Sequence, residues 1–341
     1  MKKQLLTMAA VIAIAFTAQA QTDSTSTPLQ ISGSVDAYWK YDFSKKANIP
    51  TSFVSDQNSL SLGMIDLALK KSSGKASFVG EVSFGPRSDQ SLPDATIHIQ
   101  NLYATYAFTG KFSMSAGYMG TFVGYEVISP VANFNYSTSY LFTNGPFQNA
   151  GIKANVTLSD KVGVMVGLFN NTNAGSFYWN GYVANPDRGL SNFGAQLSIT
   201  PVKGWTAYLN VLTGKPAGTE FDLTTSYQIT EKFMLGLNAA DYSAPGKNNG
   251  GFSGVALYPQ ISVTNDFALG LRGEFFKIKD STPKEGVTAL TLTANLKTGG
   301  FRLIPEIRLD NSKTNGFGFL DKNKLATKSA SQFSLAFVYA F

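Results

Sequence analysis

The stretch ISGSVDAYWKYDF, residues 31–43, alternates between two kinds of side chain. Ile31, Gly33, Val35, Ala37, Trp39, Tyr41 and Phe43 fall on one face of an extended chain. Ser32, Ser34, Asp36, Tyr38, Lys40 and Asp42 fall on the other. Residues 301–310, FRLIPEIRLD, repeat the pattern, with Arg302, Ile304, Glu306, Arg308 and Asp310 opposite Phe301, Leu303, Pro305, Ile307 and Leu309. A period of two marks a β-strand with chemically different faces. Burying the charged face in a dry core would be costly, so that face must meet water.

Helical periodicity is poor elsewhere, and extended segments continue to the end of the chain. Short polar breaks recur at Ser72–Lys75, Thr109–Lys111, Ser159–Lys161, Pro201–Gly204, Thr230–Lys232, Thr264–Asp266 and Thr298–Gly300. They read as tight hairpin turns. Longer breaks at 44–57, 86–95, 126–146, 171–188, 214–219, 244–250, 280–286 and 311–330 alternate with them. The breaks delimit sixteen strands, running from 29–43 and 58–71 to 331–341. Most are near the roughly 9–11 residues that a tilted strand needs to cross a bilayer, against about 5–6 for ordinary strands. A soluble sandwich would explain the alternation but neither these lengths nor the one-sided asymmetry of the loops. The expected fold is therefore all-β: a transmembrane antiparallel up-and-down β-barrel of about sixteen strands, with short periplasmic turns and longer extracellular loops. Fourteen or eighteen strands stay open if a long loop is misjudged.

Composition agrees. Charged residues are only 15% and aromatics are 13%, with 32 Gly and no Cys, against about 25% charged residues in a typical soluble domain. A disulfide framework and a lipid-modified Cys anchor are excluded. The net charge of +6 includes Lys2 and Lys3, and is too small to argue for nucleic acid. The basic start, the apolar run Leu5–Phe16 and Ala18-Gln19-Ala20 read as a secretory signal peptide over 1–20, removed after Ala20. Residues 21–28 then form a short linker and 29–341 the barrel. The expected location is the cell outer membrane, and no cofactor site is marked.

A sheet in lipid must close, because lipid offers no hydrogen bonds to a bare edge. Strand 331–341, SQFSLAFVYAF, would then pair with 29–43. Its alternating aromatics and final Phe341 resemble the C-terminal signature of bacterial outer-membrane barrels, a resemblance that implies reading by the barrel-assembly machinery. The apolar set should face lipid, where a Lys or Arg costs about 2–4 kcal/mol at mid-membrane. Asp36, Lys40, Glu81, Lys153, Asp222, Arg272, Glu274, Arg302, Glu306 and Arg308 all fall opposite their strand's apolar set and are the candidate pore-lining residues. Trp39, Tyr41, Phe43, Phe84, Phe108, Phe112, Tyr118, Trp205 and Phe267 fit aromatic girdles. Two strands break parity: 58–71, where a β-bulge near Met64–Asp66 would repair it, and 251–263 near Gly254.

Barrels of 16–18 strands hold an aqueous channel, so the expected function is a porin passing small polar solutes or ions passively, with weak ion selectivity. The third long connection, 126–146, carries Asn133, Phe134, Asn135, Tyr136, Tyr140 and Phe142, unusually aromatic for a segment in water. Two placements are open: folded inward as a constriction loop, as in trimeric porins, or packed on the rim. A homotrimer is likewise open. Residues 117–142 resemble a segment of the OmpL-like β-barrel porins through Gly124-Tyr125-Glu126 and Asn133-Phe134-Asn135-Tyr136-Ser137, followed by Pro146, Gly151 and Leu168-Phe169-Asn170. The resemblance implies an outer-membrane porin and no particular substrate. After Phe169 the acidic Asn-Gly-Trp-Asp run of that family is missing. Two rivals belong to other classes. A closed barrel could serve adhesion or structure through loops 171–188 and 311–330. A barrel hydrolase would have to use the single His98, for which spacing marks no partner among neighbours such as Ser91 and Asp94. Gly214-Lys215 is not a phosphate loop, since no Ser or Thr follows.

Overall fold

The computed structural model describes residues 26–91, 98–170, 189–215, 217–246, 250–279 and 285–341. The expected signal peptide, Asp94 and loop 171–188 therefore lie outside the described residues. Eight strands form the first half: β1 (Gln30–Asp42), β2 (Ser59–Ser73), β3 (Ala76–Phe84), β4 (His98–Thr109), β5 (Phe112–Gly120), β6 (Gln148–Ser159), β7 (Val162–Asn170) and β8 (Leu190–Ile199). Eight more follow: β9 (Trp205–Gly214), β10 (Gly218–Gln228), β11 (Phe233–Ser243), β12 (Gly251–Ser262), β13 (Phe267–Ile278), β14 (Gly286–Thr298), β15 (Phe301–Ser312) and β16 (Ser329–Ala340). Each pairs antiparallel with its neighbours in sequence, and β16 returns to β1, giving a closed sixteen-stranded barrel. Two short helices, α1 (Pro86–Ser91) and α2 (Tyr140–Asn144), lie in the long connections. Among the described residues no helix is long and apolar enough to cross a membrane.

Closure runs from Ser34 opposite Ala340 to Asp42 opposite Gln332. The last residue completes it: Phe341 N–H donates to the Gly33 carbonyl and Gly33 N–H to the Phe341 carbonyl, both at 3.1 Å. A side chain at position 33 would fall 2.9 Å from the Phe341 ring, so glycine there lets the terminal aromatic lie across the seam. Phe337, Tyr339 and Phe341 are exposed on the outer surface while Gln332, Ser334 and Ala336 are buried on the inner one.

The parity breaks have different causes. Val35 pairs with Ile65 but Ala37 with Leu62, so Gly63 and Met64 together oppose Asp36. This bulge keeps Leu60, Leu62, Ile65 and Leu67 all outward. Asp36 fills the space left by Gly63 and accepts the spare Met64 N–H at 2.8 Å. In β12 the register runs unbroken through Gly254. Val255 and Leu257 face out, and Phe252 and Tyr258 are apolar residues that face inward under a loop. The expected shift there does not exist.

Three further expectations are corrected. The connection between β9 and β10 is not long: Gly214 already pairs with Gly218, and the Thr213 and Thr219 hydroxyls meet at 2.7 Å. Strand β5 stops at Gly120 rather than 125. From Thr121 the chain leaves the wall, carrying the Phe122 ring to stack on Phe169 at 5.7 Å. Outer aromatics gather at both strand ends, with Trp39, Tyr41, Phe43 and Phe333 in contact at one end and Tyr106, Phe108 and Phe112 at the other. Tyr118, expected among them, is instead buried against Ile99 and Ala150.

Candidate functional site

The connection 121–147 folds into the barrel, and the wall holds it by its backbone. Arginines take its carbonyls. Arg272 donates to the Ser137 carbonyl at 2.6 Å and to Thr138 at 3.3 Å, Arg308 to Thr138 at 2.8 Å, and Arg302 to Asn133 at 3.2 Å and to Pro130. Glutamates take its amides. Glu306 accepts Tyr136 N–H at 3.0 Å and Ser137 N–H at 3.1 Å, while Glu274 accepts Tyr140 and Leu141 N–H at 3.0 and 2.8 Å. Backbone polar groups removed from water must be paired, and charge-assisted bonds are the strong ones. The charges of β13 and β15 thus do for this loop what a neighbouring strand does for the sheet.

Side chains of the loop find matched places. Asn135 donates to Thr293 Oγ1 at 2.6 Å, and Asn295 of the wall donates to the Phe134 carbonyl at 2.9 Å. Asn133 folds back on its own segment through Val127, accepting at 3.0 Å and donating at 2.6 Å. Tyr136 donates its hydroxyl to Asp36, and Tyr140 donates to Asp310 at 2.7 Å. Inward-facing glycines make room for rings. A side chain at Gly270 would fall 2.3 Å from Phe134, and one at Gly236 would fall 2.2 Å from the Tyr125 hydroxyl. Tyr125 stacks on Tyr258 at 4.4 Å; burial, with the Glu126 carboxylate second, pushes its phenol up to about 12.

Other segments support this loop. Lys40 donates to the Val54 carbonyl at 2.8 Å, fixing loop 43–58, whose Phe53 packs on Phe142 and Phe147. Arg87, at the start of α1, is fully buried: its guanidinium lies 4.7 and 4.9 Å from the Phe53 and Tyr136 rings, donates to the Ile128 carbonyl at 3.2 Å and stands 4.0 Å from Asp36. Asn48 exchanges hydrogen bonds with the Leu320 backbone, tying loop 43–58 to 313–328.

Placed in this frame, the ten charged residues picked out by alternation divide in two. Asp36, Lys40, Asp222, Arg272, Glu274, Arg302, Glu306 and Arg308 are buried beneath inward-folded chain, with Asp222 accepting Gly124 N–H at 3.1 Å. They grip loops rather than face each other across open water, so the opposite charges of β13 and β15 are spent on the loop. Glu81, which accepts from Asn101 at 2.6 Å, and Lys153 stay partly exposed on the wall the loop leaves uncovered. Alternation missed Glu126 and Arg87. Glu126 pairs with Arg272 at 2.7 Å and accepts from Ser139 N–H and Oγ at 2.7 and 2.9 Å. It is the only charged residue in 121–147, and that solitude was the available signal. At the short-turn end Lys75, Lys111, Lys161 and Lys232 each close a turn.

These contacts draw on every residue of the Gly124–Glu126 and Asn133–Ser137 segments. The family model described as "Putative beta-barrel porin-2, OmpL-like" matches residues 28–341. The chain belongs to that family. No curated protein matches the sequence. Among solved structures, this OmpL-like barrel is similar to the outer membrane channel DcaP of Acinetobacter baumannii, with TM-score 0.62, 13% identity, and coverage of 95% of this chain and 100% of that one. It is also similar to an anion-selective porin from Comamonas acidovorans, with TM-score 0.63, 13% identity, and coverage of 93% and 100%. Salmonella typhi OmpF gives TM-score 0.61 at 9% identity, with coverage of 92% and 97%. At these identities the likeness is one of fold.

Proposed function

We propose that the protein is an outer-membrane porin that passes small polar solutes and ions by passive diffusion, with segment 121–147 as its constriction loop. One observation carries the reading. The loop lies mainly against the flank formed by β1, β2 and β10–β16, and touches the other side at Phe122, which stacks on Phe169 and accepts from Gln196; other inward residues of β3–β9, among them Glu81, Asn101, Tyr103, Lys153 and Tyr208, remain partly exposed. A polar wall left facing space inside a closed barrel is what an aqueous path requires. Asp36, Lys40, Asp222, Arg272, Glu274, Arg302, Glu306 and Arg308 set its width indirectly by holding the loop; Glu81 and Lys153 meet the solute. With both signs present, ion selectivity is weak. Family membership and the channel and porin titles of the structural neighbours support this reading.

Export through the 1–20 signal peptide, a barrel beginning at 29 and assembly directed by Phe341 follow from the same reading. His98, whose Nε2 lies 3.3 Å from Asp89, gains no serine nucleophile from nearby Ser91, whose hydroxyl donates to the Ser88 carbonyl. Planar-bilayer recording of purified protein, with polymer exclusion to size the bore, tests the proposal. Discrete ohmic steps are expected. Insertion without conductance would favour the sealed adhesive or structural barrel.

A further inference from the structure

At the edge of the inward-folded loop a cleft opens between Val123, Phe142 and Pro146 on the loop and Glu220, Asp222 and Asn238 on β10 and β11. Its two carboxylates differ sharply. Asp222 is fully engaged, accepting from Asn210 at 2.7 Å, Asn238 at 2.5 Å and Gly124 N–H at 3.1 Å. Glu220 is 3% exposed, lines the cleft, and accepts no hydrogen bond from any described residue. No Lys, Arg or His lines the cleft. The two acids sit on one face of β10, two residues and about 7 Å apart. A buried carboxylate with neither a counter-charge nor hydrogen bonds is strongly unfavourable. It must therefore be neutralised by a proton or by a mobile cation from the lumen.

We propose that Glu220 is the anionic ligand of a cation subsite at the seam between constriction loop and wall, taking a monovalent ion or a primary ammonium group. Divalent ions are a poorer fit, because Ca²⁺ seeks six to eight oxygens and among the described residues no group of three or more acids or imidazoles is assembled. The apolar Val123, Phe142 and Pro146 suit the carbon side of a small organic ammonium. The subsite deepens the porin reading, and rests on it for its place beside the solute path.

The test is Glu220→Gln, which keeps the side chain's shape and removes its charge, with Glu231→Gln as a control that deletes an exposed acid from a short turn. In bilayers at pH 8, wild-type conductance should saturate with rising KCl or methylammonium chloride. Glu220→Gln should abolish saturation and lower the cation-to-anion permeability ratio, whereas Glu231→Gln should preserve saturation. Thermal unfolding of the detergent-folded barrel gives a readout independent of conduction. Methylammonium should raise the wild-type midpoint above that in tetramethylammonium at equal ionic strength, and Glu220→Gln should lose the difference. Identical wild-type and Glu220→Gln behaviour in both assays would mean that Glu220 holds a proton, and the subsite would be abandoned. Loss of saturation in Glu231→Gln as well would reduce the effect to the general field of the barrel and overturn it too. A barrel that conducts nothing yet keeps the Glu220-dependent midpoint shift would sink the porin reading and leave the subsite standing.

Discussion

Glu126→Gln is the sharpest test of how the loop is held. Arg272 is fully buried, and Glu126, on the loop, is its paired carboxylate at 2.7 Å. Removing one partner of a buried ion pair costs about 3–5 kcal/mol because the other charge is left uncompensated. Arg272 keeps the Ser137 and Thr138 carbonyls, so the lower end applies, about 3 kcal/mol. At roughly 1.4 kcal/mol per tenfold change, the undocked loop population should rise about a hundredfold. The freed segment exposes Tyr125, Phe134, Tyr136, Tyr140 and Phe142, all chymotrypsin sites. When opening is fast relative to cleavage, the nicking rate of the folded barrel follows that population. Arg272→Met alone should also loosen the loop, because it strands Glu126. The double variant, with no charge left to compensate, should be loosened by much less than the sum of the two, yet stay looser than wild type because the Ser137 carbonyl has lost its donor. Additive effects of the two substitutions would refute the clamp, as would an unchanged cleavage rate in Glu126→Gln.

Four further outcomes are expected. Excising 131–142 should raise single-channel conductance, because lumen water can solvate Arg272, Arg302, Arg308 and Glu306 once the loop is gone; unchanged conductance would place the bottleneck elsewhere. Gly270→Leu should displace Phe134 and give noisy, larger openings while the barrel still shows its heat-dependent shift on gels. Phe341→Ala keeps the backbone pair with Gly33, so refolding in detergent should proceed normally while the folded fraction in outer membranes of cells falls; equal losses in both would make the ring a matter of stability alone. Replacing Lys75, Lys111, Lys161 and Lys232 by Gln should move the reversal potential in a KCl gradient toward cation preference, since rings of charge at a mouth bias ion entry.

Much of the barrel was legible from the chain because its causes are local. The two faces of 31–43 and 301–310 follow from period two, and strand number from the breaks between such runs. Closure follows because lipid cannot hydrogen-bond a bare edge. A bulge in this strand could be anticipated, since one extra residue keeps Leu60, Leu62, Ile65 and Leu67 together, but it falls at Gly63–Met64 rather than at the expected Met64–Asp66. The connection between β9 and β10 and the inner aromatics of β12 misled for a local reason as well: glycines can make either a tight turn or a long loop, and an apolar side chain can face lipid or a covering loop. The candidate site was legible only as a list of charges. What those charges do depends on meetings across the lumen, such as Tyr136 with Asp36, Glu306 with the amides of Tyr136 and Ser137, and Arg272 with Glu126. Periodicity carries no information about partners 100 to 170 residues apart. Their pairing was decided by tertiary structure, because a loop taken out of bulk water must satisfy its backbone with whatever the opposite wall presents.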